Sequence, residues 1–295
     1  MKKLINKTII LSLFVALTGC NDWLDVSPKA DMKAEDLFGT EAGFRDALVG
    51  VYALMCGTNS YGRDLTYGYL DVLAQYYNSP LKTTSSGYEH NFKNAAEYKY
   101  TEKTEESRIS SIWSNHFSAV ANINQAMLFI DENKGVFTSP EVHDVYKGEF
   151  LALRAFLHFD LLRLFGKSYV SGAGEKAIPY VRKISKEVTP LSTVTEVLDL
   201  TIKDLEKAAD LLQEDPVKTG KATTSFLGTR NFHFNYYAVR ALMARVYLYK
   251  NDKVNALKNA REVMLSNQYS WVKKAQVATT TRESRDGIFL PEFSC

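Results

Sequence analysis

The segment GEFLALRAFLHFDLLRLFG, residues 148–166, decides the fold class of this 295-residue chain. It is long and largely apolar, and it ends at a glycine, the residue type that most often follows the last turn of a helix. Upstream, Ser139, Pro140 and Glu141 supply a cap residue, a proline at the first helical position and an acid in the first turn. These signals predict one helix that runs from Pro140 and stops at Gly166.

Five further segments carry apolar residues at helical spacing. Thr40 precedes the first of them as a cap residue, and Thr193 and Glu196 have the spacing of a capping box at the start of the third. Strand-like alternation is scarce in the rest of the chain, so we predict an all-α fold. The segments are residues 41–55, 107–131, 194–212, 234–250 and 254–266.

The last two segments resemble a tetratricopeptide repeat. With Ala244 at the small-residue position, Tyr247 and Ala256 occupy the aromatic and alanine positions of that repeat. Small residues let antiparallel helices approach closely, and the tyrosine fills the groove above them. Any helical hairpin with alanines would match the spacing nearly as well, so both interpretations stay open at this point.

The N-terminal sequence predicts export followed by lipid attachment. Lysines at positions 2, 3 and 7 precede a short apolar run, residues 9–17, which suits a secretory signal peptide but is too short to span a bilayer. The sequence LTGC, which ends at Cys20, matches a bacterial lipobox, where cleavage before the cysteine leaves it carrying acyl chains such as palmitate. We therefore interpret residues 1–19 as a lipoprotein signal peptide and residues 20–39 as an extended, lipidated tether. The alternative is a cysteine that happens to follow an ordinary signal peptide.

Charge and cysteine content exclude several function classes. Cleavage would remove three of the 36 basic residues and none of the 34 acidic ones, which leaves a net charge near −1 rather than +2. Such a chain lacks the excess of positive charge that is typical of nucleic-acid-binding proteins. Because Cys295 is the final residue, we expect it to form no structural disulfide with Cys56. The sequence contains no metal-ligand cluster and no nucleotide loop, so we predict no metal and no cofactor.

Taken with the lipobox, the helical segments resemble the SusD/RagB-like family of nutrient-binding outer-membrane lipoproteins. Their order and spacing along nearly the whole mature chain carry the resemblance, rather than any one catalytic motif. The matching stretches are GTEAGFRDALVGVYALM, IWSNHFSAVANIN, EFLALRAFLHFDLLRLFG followed by AIPYV, STVTEVLDLTIKDLEKAADLL, and YAVRALMARVYLYKNDKVNALKNAREVM.

The resemblance implies a fold, a location and partners. The implied fold is an α-superhelix of tetratricopeptide-like helix pairs, here residues 40–295, which scaffolds long irregular ligand-binding loops. The implied function is capture of a glycan at the outer membrane, on the outside of the cell, and its delivery to a TonB-dependent transporter. Similar proteins continue well beyond the point that matches RDGIFLPEFSC, so we expect a truncated form or a short variant.

Aromatic residues in the polar loop of residues 78–108 supply the candidate site. Sugars present apolar C–H faces that stack on aromatic rings, while amide groups bond their hydroxyls. The resemblance also points to this region, just before the helix that we predict to start near Ser107. A tyrosine-rich stretch, Tyr61 to Tyr77, precedes the loop. The candidate ligand-binding residues are Tyr88, Phe92, Tyr98 and Tyr100, with Asn91 and Asn94 as hydrogen-bonding partners.

Two other function classes stay open beside glycan capture. One is a tetratricopeptide-like envelope lipoprotein that acts as a protein-interaction module, which predicts buried or dispersed loop tyrosines. The other is a glycosidase, which needs two carboxylates about 5 to 10 Å apart in a cleft. We predict no enzyme, because Glu141, Asp144 and Glu149 are expected to form a solvated helix face. We also expect His158 to pack between helices rather than to bind a ligand.

Overall fold

The computed structural model describes residues 33–77, 92–222, 224 and 226–269. The predicted signal peptide, Cys20 and most of the predicted tether lie outside the described residues. In the described segment of the tether, Ala34–Leu37 form one helical turn, so the expectation of an extended chain was wrong there. This turn belongs to a different compact unit from the chain that begins at Phe38.

Long helices form the framework of the described part of the second unit, and no β-strand occurs in the described ranges beyond an isolated bridge between Lys176 and Thr193. The prediction of an all-α fold is confirmed. We number the long helices α1 (Glu41–Met55), α2 (Lys103–Phe129), α3 (Pro140–Phe165), α4 (Val194–Leu211), α5 (Tyr236–Tyr249) and α6 (Lys253–Leu265). Short helical turns in the connections span Tyr69–Leu73, Lys93–Ala96, Lys134–Val136, Tyr169–Gly172, Leu212–Glu214, Pro216–Thr219 and Leu227–Phe232.

Each long helix packs against the next one along the chain, and α3 also contacts α1 and α5. The pairs are antiparallel: Gly148, early in α3, approaches Leu212 just beyond the end of α4, whereas Arg154 further along binds Asp204. This stacking of antiparallel pairs is the tetratricopeptide-like arrangement that the resemblance implies. In the last pair Ala256 is buried against α5, as the repeat pattern predicts.

Most predicted helix boundaries agree with the structure. The side chain of Ser139 accepts a hydrogen bond from the backbone N–H of Val142, and Thr193 and Glu196 form the complete capping box. Helix α2 begins four residues before the predicted Ser107, at Lys103. Gly166 ends α3 as predicted, but its φ of −99° is not left-handed. Its role is close contact instead, because a Cβ there would lie 2.8 Å from the Leu162 carbonyl oxygen.

Helix α3 is the centre of the fold. Every residue from Gly148 to Leu162 except Asp160 is buried, as expected for a helix that is apolar on all sides and surrounded by other helices. The buried residues of this segment are apolar except for three polar side chains, Glu149, Arg154 and His158. Each of them must therefore find its hydrogen-bonding partners inside the protein.

Arg154 joins three helices and a connecting segment. Its guanidinium donates to both carboxylate oxygens of Asp204 on α4, at 2.7 and 2.9 Å, and to the amide oxygen of Asn124 on α2, at 3.0 Å. The Tyr180 hydroxyl adds a hydrogen bond to Asp204 at 2.8 Å. Arg154 is buried and does not extend its charge to solvent.

His158 packs between helices, as predicted. Its Nε2 accepts a hydrogen bond of 3.0 Å from the backbone N–H of Val181, so Nδ1 carries the proton and donates to the carbonyl oxygen of Arg154 at 2.8 Å. The ring stacks on Tyr180 with a centroid distance of 4.0 Å. Burial lowers the pKa of His158 to about 4, which keeps the imidazole neutral at physiological pH.

A second buried ionic cluster attaches the connection before α5 to α3. Arg230 pairs with both oxygens of Asp215 at 3.0 Å and also binds Glu149. His233 Nδ1 and the Tyr52 hydroxyl contact the other oxygen of Glu149 at 2.9 and 2.5 Å. The expectation that Glu149 belongs to a solvated face was wrong, because the helix is enclosed on this side; Glu141 is exposed.

Cys56 contradicts a further expectation. It follows α1 directly and is disulfide-bonded, although we expected no structural disulfide. Its partner cysteine lies outside the described residues. The bond therefore adds a covalent constraint at the point where α1 leads into the tyrosine-rich segment.

Gly148→Ala should destabilise the protein although alanine favours helices over glycine. A Cβ at position 148 would lie 2.8 Å from Leu212 Cγ and 3.3 Å from the Ala208 carbonyl oxygen, so α3 and α4 would have to separate. We expect a loss of about 1–3 kcal/mol in urea unfolding. The matched control is Gly50→Ala in α1, where no atom lies within 4 Å, and it should stabilise by up to about 1 kcal/mol. Equal effects of the two substitutions would contradict this account of the α3–α4 contact.

Stability should fall in acid because of Glu149. Burial alone would raise the pKa of this carboxyl group, but Arg230, His233 and Tyr52 lower it from 4.5 to about 2. A carboxyl group with a depressed folded-state pKa stabilises fully above pH 4.5 and loses that contribution as the pH falls from 4.5 towards 2, on the order of 3 kcal/mol in total. Urea unfolding of the wild type and of Glu149→Gln between about pH 7 and 3 measures the difference between their free energies of unfolding. This difference should become smaller below pH 4.5. A difference that is independent of pH would show that Glu149 is not ionised in the folded protein.

Candidate functional site

The candidate site lies on two segments, residues 57–77 and 92–101, that flank residues 78–91. Two of the predicted ligand-binding residues, Tyr88 and Asn91, lie outside the described residues. The other four, Phe92, Asn94, Tyr98 and Tyr100, belong to the second segment. Both segments pack on the N-terminal half of α2 and on the end of α3, so the long helices determine their position.

The first segment is a compact turn that only glycine allows at two positions. A Cβ at Gly62 would lie 2.1 Å from the carbonyl oxygen of Cys56, and one at Gly68 would lie 2.8 Å from the carbonyl oxygen of Arg63. The Thr66 hydroxyl donates to the carbonyl oxygen of Arg63 at 3.1 Å. The turn is therefore held by its own backbone and presents Tyr67 at its outer edge.

Tyr61 attaches this turn to the long helices. Its hydroxyl donates to Asp160 of α3 at 2.9 Å and contacts His116 of α2 at 3.2 Å. Burial, together with the neighbouring Asp160, raises the pKa of Tyr61 well above its usual value. Burial also lowers the pKa of His116, which favours the neutral imidazole. Of these supporting groups, His116 is buried, whereas Tyr61 and Asp160 are partly buried.

A buried ionic cluster lies beneath the second segment. Arg108 of α2 contacts Asp64 at 3.3 Å and Glu105 at 3.4 Å, and Arg63 binds Asp64 at 2.7 Å. The guanidinium of Arg108 also covers the Phe92 ring at 4.5 Å from its centroid. Glu105 is fully buried without a well-formed hydrogen bond, and its burial raises the pKa of its carboxyl group.

Above this cluster, five tyrosines form what we call the tyrosine surface: Tyr67, Tyr76, Tyr77, Tyr98 and Tyr100. All are exposed, and Tyr98 and Tyr100 expose 49% and 46% of their surface. The rings of Tyr98 and Tyr100 lie 6.3 Å apart at an angle of 53°. The Tyr98 hydroxyl joins the two segments by donating to the Leu73 carbonyl at 3.0 Å, and the Tyr77 hydroxyl donates to the Tyr67 carbonyl within the first segment at 2.5 Å.

The predicted residues therefore occupy different environments. Tyr98 and Tyr100 present their rings to solvent, and Tyr98 is held with a positive φ of 53°. Phe92 is partly buried, and its ring packs against the guanidinium of Arg108. Asn94 is partly buried, and its amide donates to the Thr104 hydroxyl at 3.3 Å. Contact of any of these residues with a ligand stays a prediction.

A small apolar pocket opens beside Tyr100. Its volume is about 260 Å³, and Leu164 and Phe165 at the end of α3 contribute to its lining. Tyr69, also in the lining, is buried, and this burial raises its pKa to about 12. The pocket extends the tyrosine surface inward. The complete lining is Tyr69, Leu73, Tyr100, Ile109, Ile112, Leu164 and Phe165.

Sequence reasoning missed Tyr67, Tyr76 and Tyr77 as members of the surface. The density of tyrosines between Tyr61 and Tyr77 was the available signal, but it did not separate buried rings from exposed ones. Tyr69 is buried while Tyr67 is exposed, and only the tertiary structure distinguishes them.

Two carboxylates, Glu149 and Asp215, come together in a buried cluster of the described residues. Glu149 and Asp215 share Arg230, but both are buried and saturated with hydrogen bonds, so a polysaccharide could not reach them. Within the described ranges no group of three or more His, Cys, Asp or Glu side chains could hold a metal ion. No helix in the described part of the chain is both long and apolar enough to cross a membrane.

Comparison with known proteins identifies the family. A family model described as "Starch-binding associating with outer membrane" matches residues 22–248 of the chain. The chain belongs to the SusD/RagB-like family. It is 24% identical to SusD-like protein P38 of Formosa agariphila over 98% of this chain and 50% of the relative, and 26% identical to SusD-like protein P2 of the same organism over 88% and 46%.

Solved structures show the same fold for this SusD/RagB-like chain. A SusD superfamily protein from Bacteroides thetaiotaomicron superposes with a TM-score of 0.64 at 20% identity, over 81% of this chain and 50% of that one. A putative sugar-binding protein from Bacteroides vulgatus gives a TM-score of 0.59 at 24% identity, over 77% and 46%. The SusD/RagB-like chain thus spans about half the length of the relatives it matches.

Arg108→Met should destabilise the buried ionic cluster that supports the tyrosine surface in this SusD/RagB-like protein. The substitution keeps an apolar stem against Phe92 but leaves the buried Asp64 and Glu105 with less compensating charge, which costs about 3–5 kcal/mol in comparable buried pairs. We expect the substitution to accelerate amide hydrogen exchange in residues 60–77 more than in α4. Arg45→Met, which removes an exposed ion pair with Asp46, is the control and should change stability by at most about 1 kcal/mol. Unchanged exchange in residues 60–77 would show that the surface does not depend on this cluster.

Proposed function

We propose that this chain belongs to a lipid-anchored outer-membrane protein that captures a glycan at the cell surface and delivers it to a TonB-dependent transporter. Capture requires binding and no turnover. Cys20, in its lipobox context, would carry the anchor, and the transporter is the partner that the family resemblance suggests.

The tyrosine surface is the observation that carries this proposal. Tyr98 and Tyr100 present adjacent rings at a 53° angle, so two consecutive sugar units could stack on different ring faces. The Tyr98 hydroxyl is engaged with the Leu73 carbonyl, which holds its ring in place before any ligand arrives. Binding would therefore require little ordering of these side chains.

The names of related proteins support a glycan as the ligand. The matching family model is described as starch-binding, and one protein of similar fold is described as a putative sugar-binding protein. The pocket beside Tyr100 could accept an apolar C–H face or a methyl substituent at the edge of such a ligand. α-Glucans are therefore the first polysaccharides to test, followed by other neutral and anionic polymers.

A protein-interaction module is the rival proposal. It predicted buried or dispersed loop tyrosines, whereas Tyr98 and Tyr100 are exposed and their rings lie 6.3 Å apart. This grouping favours glycan capture. A protein partner that binds equally well after the tyrosines are removed would favour the rival.

Tyr98→Ala and Tyr100→Ala should each weaken glycan binding at least about tenfold, because each removes a stacking ring worth about 1.4 kcal/mol or more. Affinity electrophoresis against a polysaccharide panel, followed by calorimetry with the best polymer, measures the change. Phe232→Ala removes an equally exposed ring outside the tyrosine surface and should leave affinity within about twofold of the wild type.

Circular dichroism should show that the tyrosine variants keep the wild-type helix content. A wild type that binds no polymer in the panel, or tyrosine variants that bind as well as the Phe232→Ala control, would contradict glycan capture at this surface. Co-purification of a transporter from membranes is a separate readout, so a lost partner can be distinguished from a lost ligand.

A further inference from the structure

A ten-residue loop, residues 182–191, extends from the helical body between Tyr180 and the start of α4. All of its residues except Thr189 are exposed, whereas Tyr180 and Val194 on either side of it are buried. The glycan proposal uses none of these residues. We call this segment the 182–191 loop.

The base of the loop is held firmly. The backbone N–H of Val181 donates to His158 at 3.0 Å, and its carbonyl accepts from Asn124 at 3.0 Å. On the returning side, the N–H of Ser192 donates to the Ile178 carbonyl at 2.9 Å. Because one end is bonded to α2 and α3 and the other to the buried Ile178, the base of the loop has a defined position on the protein.

The exposed surface of the loop combines positive charge with apolar side chains. Arg182, Lys183 and Lys186 form no ion pair with any described residue, and Glu187 is the one acidic residue of the loop. Ile184 and Val188 expose 52% and 93% of their surface. Single exposed apolar residues are common, but here two of them lie on one short loop beside three cations, and such grouping is typical of a surface that makes an external contact.

We propose that the 182–191 loop docks on an anionic lipid headgroup surface and orients the anchored protein on its membrane. Aliphatic side chains can enter the boundary between headgroups and acyl chains, while lysine and arginine stay among the phosphates. Lipid contact is non-directional and needs no complementary groove, which suits a protruding tip. This contact goes beyond glycan capture and would not depend on the tyrosine surface.

Charge complementarity sets the size of the effect. Each lysine or arginine close to an anionic membrane strengthens association by about fivefold. This attraction falls off within a Debye length of the surface, and the Debye length becomes shorter as the salt concentration rises. With three cations against one acid, the loop alone binds weakly. Together with acyl chains at Cys20 it would restrict the orientation of the protein rather than provide the anchor.

Vesicle co-sedimentation tests the proposal with the mature chain from residue 20 onward carrying Cys20→Ser, so that no acyl chain contributes. The probes are vesicles of phosphatidylcholine with about 30% phosphatidylglycerol, and phosphatidylcholine alone. We expect binding to the anionic vesicles only, at least about fivefold weaker at roughly 300 mM than at roughly 50 mM salt. The double variants Lys183→Gln/Lys186→Gln and Ile184→Ser/Val188→Ser should each weaken it at least about fivefold.

Matched controls change similar side chains elsewhere. Val170→Ser removes a valine that is 83% exposed, and Lys253→Gln/Lys258→Gln removes two exposed lysines of α6. These variants should bind like the parent chain. The proposal is overturned if the parent chain does not bind anionic vesicles, or if controls and loop variants weaken equally. It is also overturned if the loop variants lose an envelope protein partner while vesicle binding is unchanged, because the loop would then be a protein interface.

Discussion

The pairing of Arg154 with Asp204 is the interaction on which the arrangement of the middle helices depends. Arg154 lies on the most enclosed stretch of α3 and reaches α4 through Asp204 and α2 through Asn124. Removing one partner of such a pair leaves an uncompensated buried charge, which is far less stable than either a complete pair or an apolar contact. The helices therefore have one register in which the charges are satisfied. The same network holds residues 178–182, so the core determines where the 182–191 loop leaves the body.

Glu149 has a comparable role nearer the start of α3. Through Arg230 and Asp215 it holds the connection between α4 and α5, and through Tyr52 it contacts α1. The Arg154 network joins α3 to α2 and α4, whereas the Glu149 network joins α3 to α1 and to the connection between α4 and α5. An apolar helix with three internal polar residues can in this way specify a stack of antiparallel pairs, because each polar group accepts only one arrangement of partners.

The candidate site follows the same logic at the end of α3. Tyr61 binds Asp160, and Arg108 joins Asp64 and Glu105, so the segment that presents Tyr67 is supported by buried hydrogen bonds and charges. The exposed tyrosines are consequently held on a rigid base, while their rings are open to solvent. This separation of support and contact explains why neighbouring tyrosines, such as Tyr67 and Tyr69, have opposite environments.

The sequence by itself determined the all-α class, most helix boundaries and the family, because apolar periodicity, Ser139, Thr193 and the order of the segments are local signals. It also placed the candidate site in a region where Tyr98 and Tyr100 are exposed. Only the tertiary structure decided that Glu149 is buried, that Phe92 packs against Arg108, and that Tyr67 and Tyr77 join the surface. The physical reason is that burial and ion pairing depend on residues far apart in the chain, such as Glu149 and Arg230, and local spacing carries no information about them.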